Sequence, residues 1–127
     1  MIFLETSFIV GLTVETDNWH QRASELFLKM GNKITSQMVV YEVLTVLRKK
    51  KQDDKKLRIV YNSLLNSKDI TVLNDVIYYD KALEYTFNNP IGFFDNLSYI
   101  VMINNNIKEI ASFDPDFDIF QDIKRIE

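Results

Sequence analysis

The sequence predicts an α/β fold with a parallel sheet of four to five strands covered by helices, and three observations carry that expectation. Short apolar runs such as Ile2-Phe3-Leu4 and Ile70-Thr71-Val72-Leu73 alternate with longer stretches whose apolar residues recur at helical spacing. Only 3 Gly and 2 Pro occur in 127 residues, which disfavours a turn-rich all-β chain and favours helices with short connections. The hydrophobic fraction is 46%, enough for a sizeable core and too much for a chain dominated by disorder. The length suits one domain spanning residues 1–127.

Taken in order, Ile2-Phe3-Leu4 reads as a buried parallel strand that ends at Glu5. Thr6 and Ser7 are good N-cap types for a helix through Phe8 to Leu12. Asp17 is placed to cap a second helix with Ala23, Leu26, Phe27 and Met30 on one face, which Gly31-Asn32 stops. Lys33-Ile34-Thr35 reads as a strand. Ser36 then caps a helix with the stripe Val39, Val40, Val43, Leu44 and Leu47. The charged stretch from Arg48 to Lys56 holds a helix end, a polar loop and the next helix start, continued by Leu57, Val60, Tyr61, Leu64 and Leu65.

Ile70 to Leu73 is a third strand. Val76 to Phe87 is helical by pattern and is broken by Asn88-Asn89-Pro90-Ile91-Gly92. Phe93, Leu97, Ile100, Val101 and Asn104 share one side of a further helix. Glu109 to Ser112 reads as a strand, Asp114-Pro115-Asp116 as a turn, and Ile123 to Ile126 as a last short strand. No repeat or linker interrupts the alternation, which is the pattern of a parallel sheet with crossover helices.

The formal net charge of −3 gives no global attraction to nucleic acid or an anionic membrane, though a local basic face suffices for RNA. Cysteine is absent, so disulfides and thiolate metal sites are excluded and a cytoplasmic location is compatible. No basic region precedes the first apolar run, Glu5 interrupts it, and no run approaches the roughly 20 apolar residues of a bilayer span.

Ligands of parallel α/β sheets bind beyond the carboxyl ends of the strands. Glu5 and Asp114 fall there by sequence alone. Glu5 stands among Phe3, Leu4, Phe8 and Ile9, where an unpaired carboxylate is costly or takes up a proton. Glu42 lies at the margin of a helical stripe, and Asp95 in the first turn of its helix. Each acid alone also fits an ordinary role: a solvated helical Glu, an Asp complementing a helix dipole, a turn Asp before Pro115. Hydrolysis assisted by Mg²⁺ or Mn²⁺ is the chemistry that unites them, since hard cations take oxygen ligands and relieve the mutual repulsion of clustered carboxylates.

These residues also form motifs. The segment Ile2-Phe3-Leu4-Glu5-Thr6-Ser7-Phe8-Ile9-Val10, the segment Ile34 to Leu44 with Glu42, the run Phe93-Phe94-Asp95-Asn96-Leu97-Ser98, and Ala111-Ser112-Phe113-Asp114-Pro115-Asp116-Phe117 occur in this order nearly end to end. In this the chain resembles the PIN domain family of metal-dependent ribonucleases, and within it the VapC-like toxins of toxin–antitoxin pairs. The resemblance implies a three-layer α/β/α domain and a Mg²⁺ or Mn²⁺ site held by Glu5, Glu42, Asp95 and Asp114. Asp116 assists, and Ser112 and Thr6 lie near the pocket. It further implies an RNA substrate, an antitoxin partner that blocks the pocket, and a homodimer.

One position departs from the pattern. The family's first acid is normally Asp, and Glu5 places its oxygens ~1.5 Å further from the backbone. Octahedral Mg²⁺ tolerates little such error, so a PIN-like module that binds RNA or protein without cutting is the alternative expectation.

Other readings of the same residues fail on their chemistry. Asp114-Pro115-Asp116-Phe117-Asp118 has the spacing of a calcium loop, but Ile119 stands where Gly is needed and Arg125 where a bidentate Glu belongs. A phosphatase aspartyl motif would follow the first strand, and a receiver domain wants an acidic pair there and a lysine near the last strand. His20, the only histidine, falls in a surface helix. The 3 Gly are scattered, so no phosphate loop exists. The run Arg48-Lys49-Lys50-Lys51, with Lys55, Lys56 and Arg58 nearby, is the candidate RNA contact, against the ordinary alternative of a solvated loop. Tyr41, Tyr61, Tyr78, Tyr79 and Tyr85 fit core or interface better than base stacking.

Overall fold

The computed structural model describes residues 1–127. Five short parallel strands, β1 (Ile2–Leu4), β2 (Lys33–Ser36), β3 (Ile70–Leu73), β4 (Glu109–Ala111) and β5 (Lys124–Ile126), form one sheet in the order β3-β2-β1-β4-β5. Six helices cover it: α1 (Thr6–Thr13), α2 (His20–Lys29), α3 (Gln37–Lys49), α4 (Asp54–Asn66), α5 (Tyr79–Asn88) and α6 (Phe93–Asn104). The architecture is the expected three-layer α/β/α arrangement, with five strands.

The strands are apolar because the central ones are covered on both faces. Phe3, Leu4, Ile110 and Ala111 are all fully buried. They meet Phe8, Ile9, Leu97, Ile100, Met102 and Ile107 in one core cluster. Gly11 lets α2 approach α1 closely: a Cβ there would lie 3.3 Å from the Trp19 Cβ and 3.6 Å from that of Ala23. No helix is long and apolar enough to cross a membrane.

The strand order fixes where a ligand fits. From β1 the chain steps outward to β2 and β3, then returns past β1 to β4 and β5. Connections therefore leave β1 and β4 in opposite directions, and a crevice opens at their carboxyl ends. The parallel register pairs Leu4 with Ala111, which sets Glu5 beside Ser112. The Glu5 amide extends the ladder to the Ala111 carbonyl at 3.1 Å.

Three local expectations need correction. The N-cap of α1 is Glu5 itself, whose side chain accepts from the Ser7 amide, because Thr6 already has helical backbone. Asp17 caps only a turn: its carboxylate accepts from the Trp19 amide at 2.9 Å, and α2 begins at His20 without a side-chain cap. The helix expected from Val76 opens as a 3₁₀ turn over Val76–Tyr78 before α5 begins. Asp75 immediately precedes that turn. It is fully buried, accepts from the Met38 amide and the Tyr79 hydroxyl at 3.1 Å each, and so ties this turn to the start of α3.

Candidate metal centre

Glu5, Glu42, Asp95 and Asp114 line one cleft of about 560 Å³ at the carboxyl edge of β1 and β4, together with Thr6, Ser7, Asp17, Trp19, Lys50 and Phe113. Each acid reaches it from a different element. Glu5 follows β1, Glu42 projects from the second turn of α3, Asp95 from the first turn of α6, and Asp114 from the loop after β4. Carboxylate oxygens of Asp95, Asp114 and Asp116 lie within 4.8 Å of one another. Asp116 is exposed beside the cleft, and its amide donates to Asp114 Oδ1 at 2.9 Å.

Glu5 is only 5% exposed and is held by a directed network. Its Oε2 accepts from the Ser7 amide at 3.0 Å, the Ser7 hydroxyl at 2.5 Å and the Ser112 hydroxyl at 2.7 Å. The two serine oxygens in turn accept from the Phe113 amide at 2.9 Å and the Asp114 amide at 3.0 Å. These backbone donors take up lone pairs on each serine and aim both hydroxyl hydrogens at Glu5. Opposite, Glu42 accepts a hydrogen bond from the Thr6 hydroxyl.

Burial and the neighbouring acids raise the proton affinity of Glu5 and Asp95. Burial pushes the Glu5 carboxyl above its ordinary range, the Ser7 and Ser112 hydrogen bonds pull it back, and the nearby Glu42 charge adds to the rise. Asp95 is pushed up to about 7, first by burial and then by the negative charges of Glu5, Asp114, Glu42 and Asp116. Lys50 is the sole cation among the cleft's lining residues, and it lies 3.7 Å from Asp17.

Asp95 is placed by a neighbour that sequence reasoning passed over. Asn96 is fully buried, and its amide nitrogen lies within hydrogen-bond reach of the Ile91 carbonyl at 2.9 Å and the Gly92 carbonyl at 3.1 Å. Its Oδ1 accepts from Asn89 at 2.8 Å. The loop into α6 is thereby fixed, and Asp95 with it. Ser7, Trp19 and Phe113 were also missed; Ser7 alone carried a signal, as a hydroxyl two residues after a buried acid.

The basic run behaves unevenly. Lys50 faces the cleft, while Arg48 pairs with Asp54 at 2.7 Å on the surface. Lys49 and Lys51 are exposed away from it. His20 lies outside the cleft, and its Nδ1–H donates to the Gly11 carbonyl at 2.9 Å.

The PIN domain family model matches residues 2–123. The chain belongs to the PIN domain family. Among solved structures, it is similar to the VapC20 toxin of Mycobacterium tuberculosis, a sarcin–ricin loop cleaving toxin. There the identity is 24%, the TM-score 0.85, and 94% of each chain is covered. It is also similar to VapBC2 of Rickettsia felis, bound to a DNA fragment from its promoter, at 17% identity and TM-score 0.68 over 99% of this chain and 98% of that one. A third is FitAcB of Neisseria gonorrhoeae, at 16% identity and TM-score 0.68 over 100% and 97%. At these identities the likeness is one of fold. No curated protein matches the chain in a sequence comparison.

Proposed function

We propose that this chain is a divalent-metal-dependent endoribonuclease and the toxin of a type II toxin–antitoxin pair. The observation that carries the reading is the convergence of Asp95, Asp114 and Asp116 oxygens within 4.8 Å at the sheet's switch point. The donor set fits Mg²⁺ or Mn²⁺: all oxygens, no nitrogen or sulfur, and a carboxyl at about 7 that gives up its proton readily to a cation. Asp95 and Asp114 would hold the ion, with Asp116, Glu5 and Glu42 around it. A bound ion would offset the charge of the acids and supply the water activation that phosphodiester hydrolysis needs. The chain's own residues do the rest. Glu42 and Glu5 stand ready to orient water or accept a proton, Ser7 and Ser112 fix the Glu5 rotamer, and Lys50 attracts the phosphate backbone.

The family supports an antitoxin partner that covers the cleft, and the similarity to VapBC2 and FitAcB agrees with one. A homodimer is part of the same reading. Leu83 and Phe87 lie one turn apart on α5 and are exposed, the latter by 78%, which is the apolar surface a second copy would cover. The site of action would be the cytoplasm, where structured RNA is available.

A non-cutting PIN module is the second reading, and Glu5 favours it. Its Oε2 is already committed to three hydrogen bonds, and Glu5 stands outside the tight aspartate group. An RNA cleavage assay with Mn²⁺ and with EDTA separates the two, comparing the chain with Glu5→Asp and Asp95→Asn. Metal-dependent cutting by the chain, lost in Asp95→Asn, supports the nuclease. Cutting by Glu5→Asp alone supports the non-cutting reading, and no cutting by either sinks the enzyme.

A further inference from the structure

We propose that Trp19 is a stacking platform for an unpaired nucleobase beside the acidic cleft. This rests on the ribonuclease reading and names the residue that holds the base next to the cut. Trp19 lines the cleft on one side and, on the other, the adjoining depression with Asn18, Gln21, Arg22, Glu25 and Glu127. It therefore stands as a ridge that a chain leaving the acids would cross. It is 46% exposed although it is the largest side chain type in the protein.

The ring is held flat. One indole face lies against Phe113, with centroids 4.5 Å apart and planes 6° from parallel. Its Cβ sits against the bare Cα of Gly11, and its amide is tied to Asp17. A ring fixed against Phe113 on one face and about half exposed binds a planar partner with little loss of side-chain freedom. Lys50 stands on the cleft side, 3.7 Å from Asp17, and the half-exposed Arg22 on the far side, 3.9 Å from Glu25 and donating to the Glu127 carbonyl at 2.9 Å. A base on the flat ring directs its flanking phosphates toward these two cations, which would exchange their present partners for phosphate. A paired base inside a duplex has both faces covered by its neighbours and cannot use the ring. The contact has no hydrogen-bond pattern to read, so it selects an unpaired base and not a sequence, with purines favoured by area.

Trp19 is the only tryptophan, so intrinsic fluorescence reports this position alone. The full chain in Ca²⁺ is titrated with hexaadenylate, with an abasic ribose-phosphate hexamer of equal charge, and with a blunt twelve-base-pair RNA duplex. Hexaadenylate is expected to quench the emission, while the abasic hexamer and the duplex leave it unchanged and bind about tenfold or more weakly. Trp19→Phe keeps a flat ring and should hold hexaadenylate within about threefold of the parent, whereas Trp19→Leu, apolar but not flat, should lose about tenfold. Thermal melts of both variants follow folding, and the abasic comparison uses the unaltered chain. Equal binding of hexaadenylate and the abasic hexamer with no change in emission, while Mn²⁺-dependent cutting persists, overturns the platform and leaves the nuclease standing. No binding and no cutting overturns the nuclease reading and the platform with it. Quenching by the co-encoded antitoxin with none by hexaadenylate assigns the ring to a protein contact and also overturns the proposal.

Discussion

The Ser112 hydroxyl donates to Glu5 Oε2 at 2.7 Å across the β1–β4 ladder, as an ionised carboxylate can only accept, and the Asp114 amide donates to the same serine oxygen at 3.0 Å. Both residues are buried, so the bond is made in a region of low dielectric. Ser112→Ala removes one of three donors to Glu5 and leaves the Asp114 amide without its acceptor. The expected loss is about 1–3 kcal/mol of stability. The loss should be smaller in acid than at neutral pH, since a protonated Glu5 needs fewer donors. Urea unfolding of the metal-free protein at two pH values checks this; an unchanged midpoint at neutral pH contradicts it.

Asp95 makes metal binding depend on pH. Its carboxyl, pushed up to about 7 by burial and by four neighbouring acids, keeps its proton in the metal-free fold at mildly acid pH. A cation must displace that proton, so apparent Mn²⁺ affinity should fall about tenfold per pH unit below 7 and level off above it. The folded-state value lies above the unfolded one. The stabilisation is therefore present in acid and is lost as pH rises through about 7, the reverse of an ion-paired aspartate. Melting temperature of the metal-free chain should drop between pH 5 and 8, and Asp95→Asn should flatten that slope while weakening Mn²⁺ binding. Calorimetry across this range measures both.

Asn96 is expected to matter more than a residue outside the acid group ordinarily would. Its side chain satisfies the Ile91 and Gly92 carbonyls and the Asn89 amide in a fully buried position. Asn96→Ala leaves the Ile91 carbonyl and the Asn89 side-chain amide without these partners, while the Gly92 carbonyl keeps the residue-96 backbone amide at 3.1 Å, and should cost about 1–3 kcal/mol. Asn96→Asp keeps the acceptor but buries a further charge beside Asp95, so it should destabilise at least as much at neutral pH and less in acid. Denaturation midpoints of both variants at pH 5 and 7 test the ordering.

Much of this was legible in the sequence, for physical reasons. The alternation of apolar runs and helical stripes marks a covered parallel sheet because central strands such as Ile2–Leu4 are buried on both faces. Local chemistry told less. Thr6 and Ser7 are better caps by type than Glu5, yet the β1 ladder continues through the Glu5 amide and leaves Glu5 in the capping geometry. Residue chemistry alone names the crevice acids one at a time, and only the order of the motifs joins them with Asp116 and Ser112 in one expected site. The distances within the Asp95, Asp114 and Asp116 group and the bond from Ser112 to Glu5 depend on strand register and on the loop before α6. Contacts of that kind join residues as far apart as position 5 and position 112, and no local pattern encodes them.

The run Arg48 to Lys51 offers equal charges at successive positions, yet the structure gives them unequal prospects. Lys50 lines the cleft and its ammonium pairs with Asp17 at 3.7 Å, a spacing too loose to neutralise it fully. Arg48 is engaged with Asp54 at 2.7 Å on the open surface, where such a pair adds little stability. Lys50→Ala should therefore weaken RNA binding and lower the salt slope of the binding constant by about 1. Arg48→Ala should change affinity by less than about twofold and leave the slope nearly intact, since one exposed charge away from the strand's path releases few counterions. Binding of hexaadenylate to both variants from low to moderate salt measures the contrast. Equal losses for the two would place the RNA along the outside of the α3–α4 loop and away from the acids.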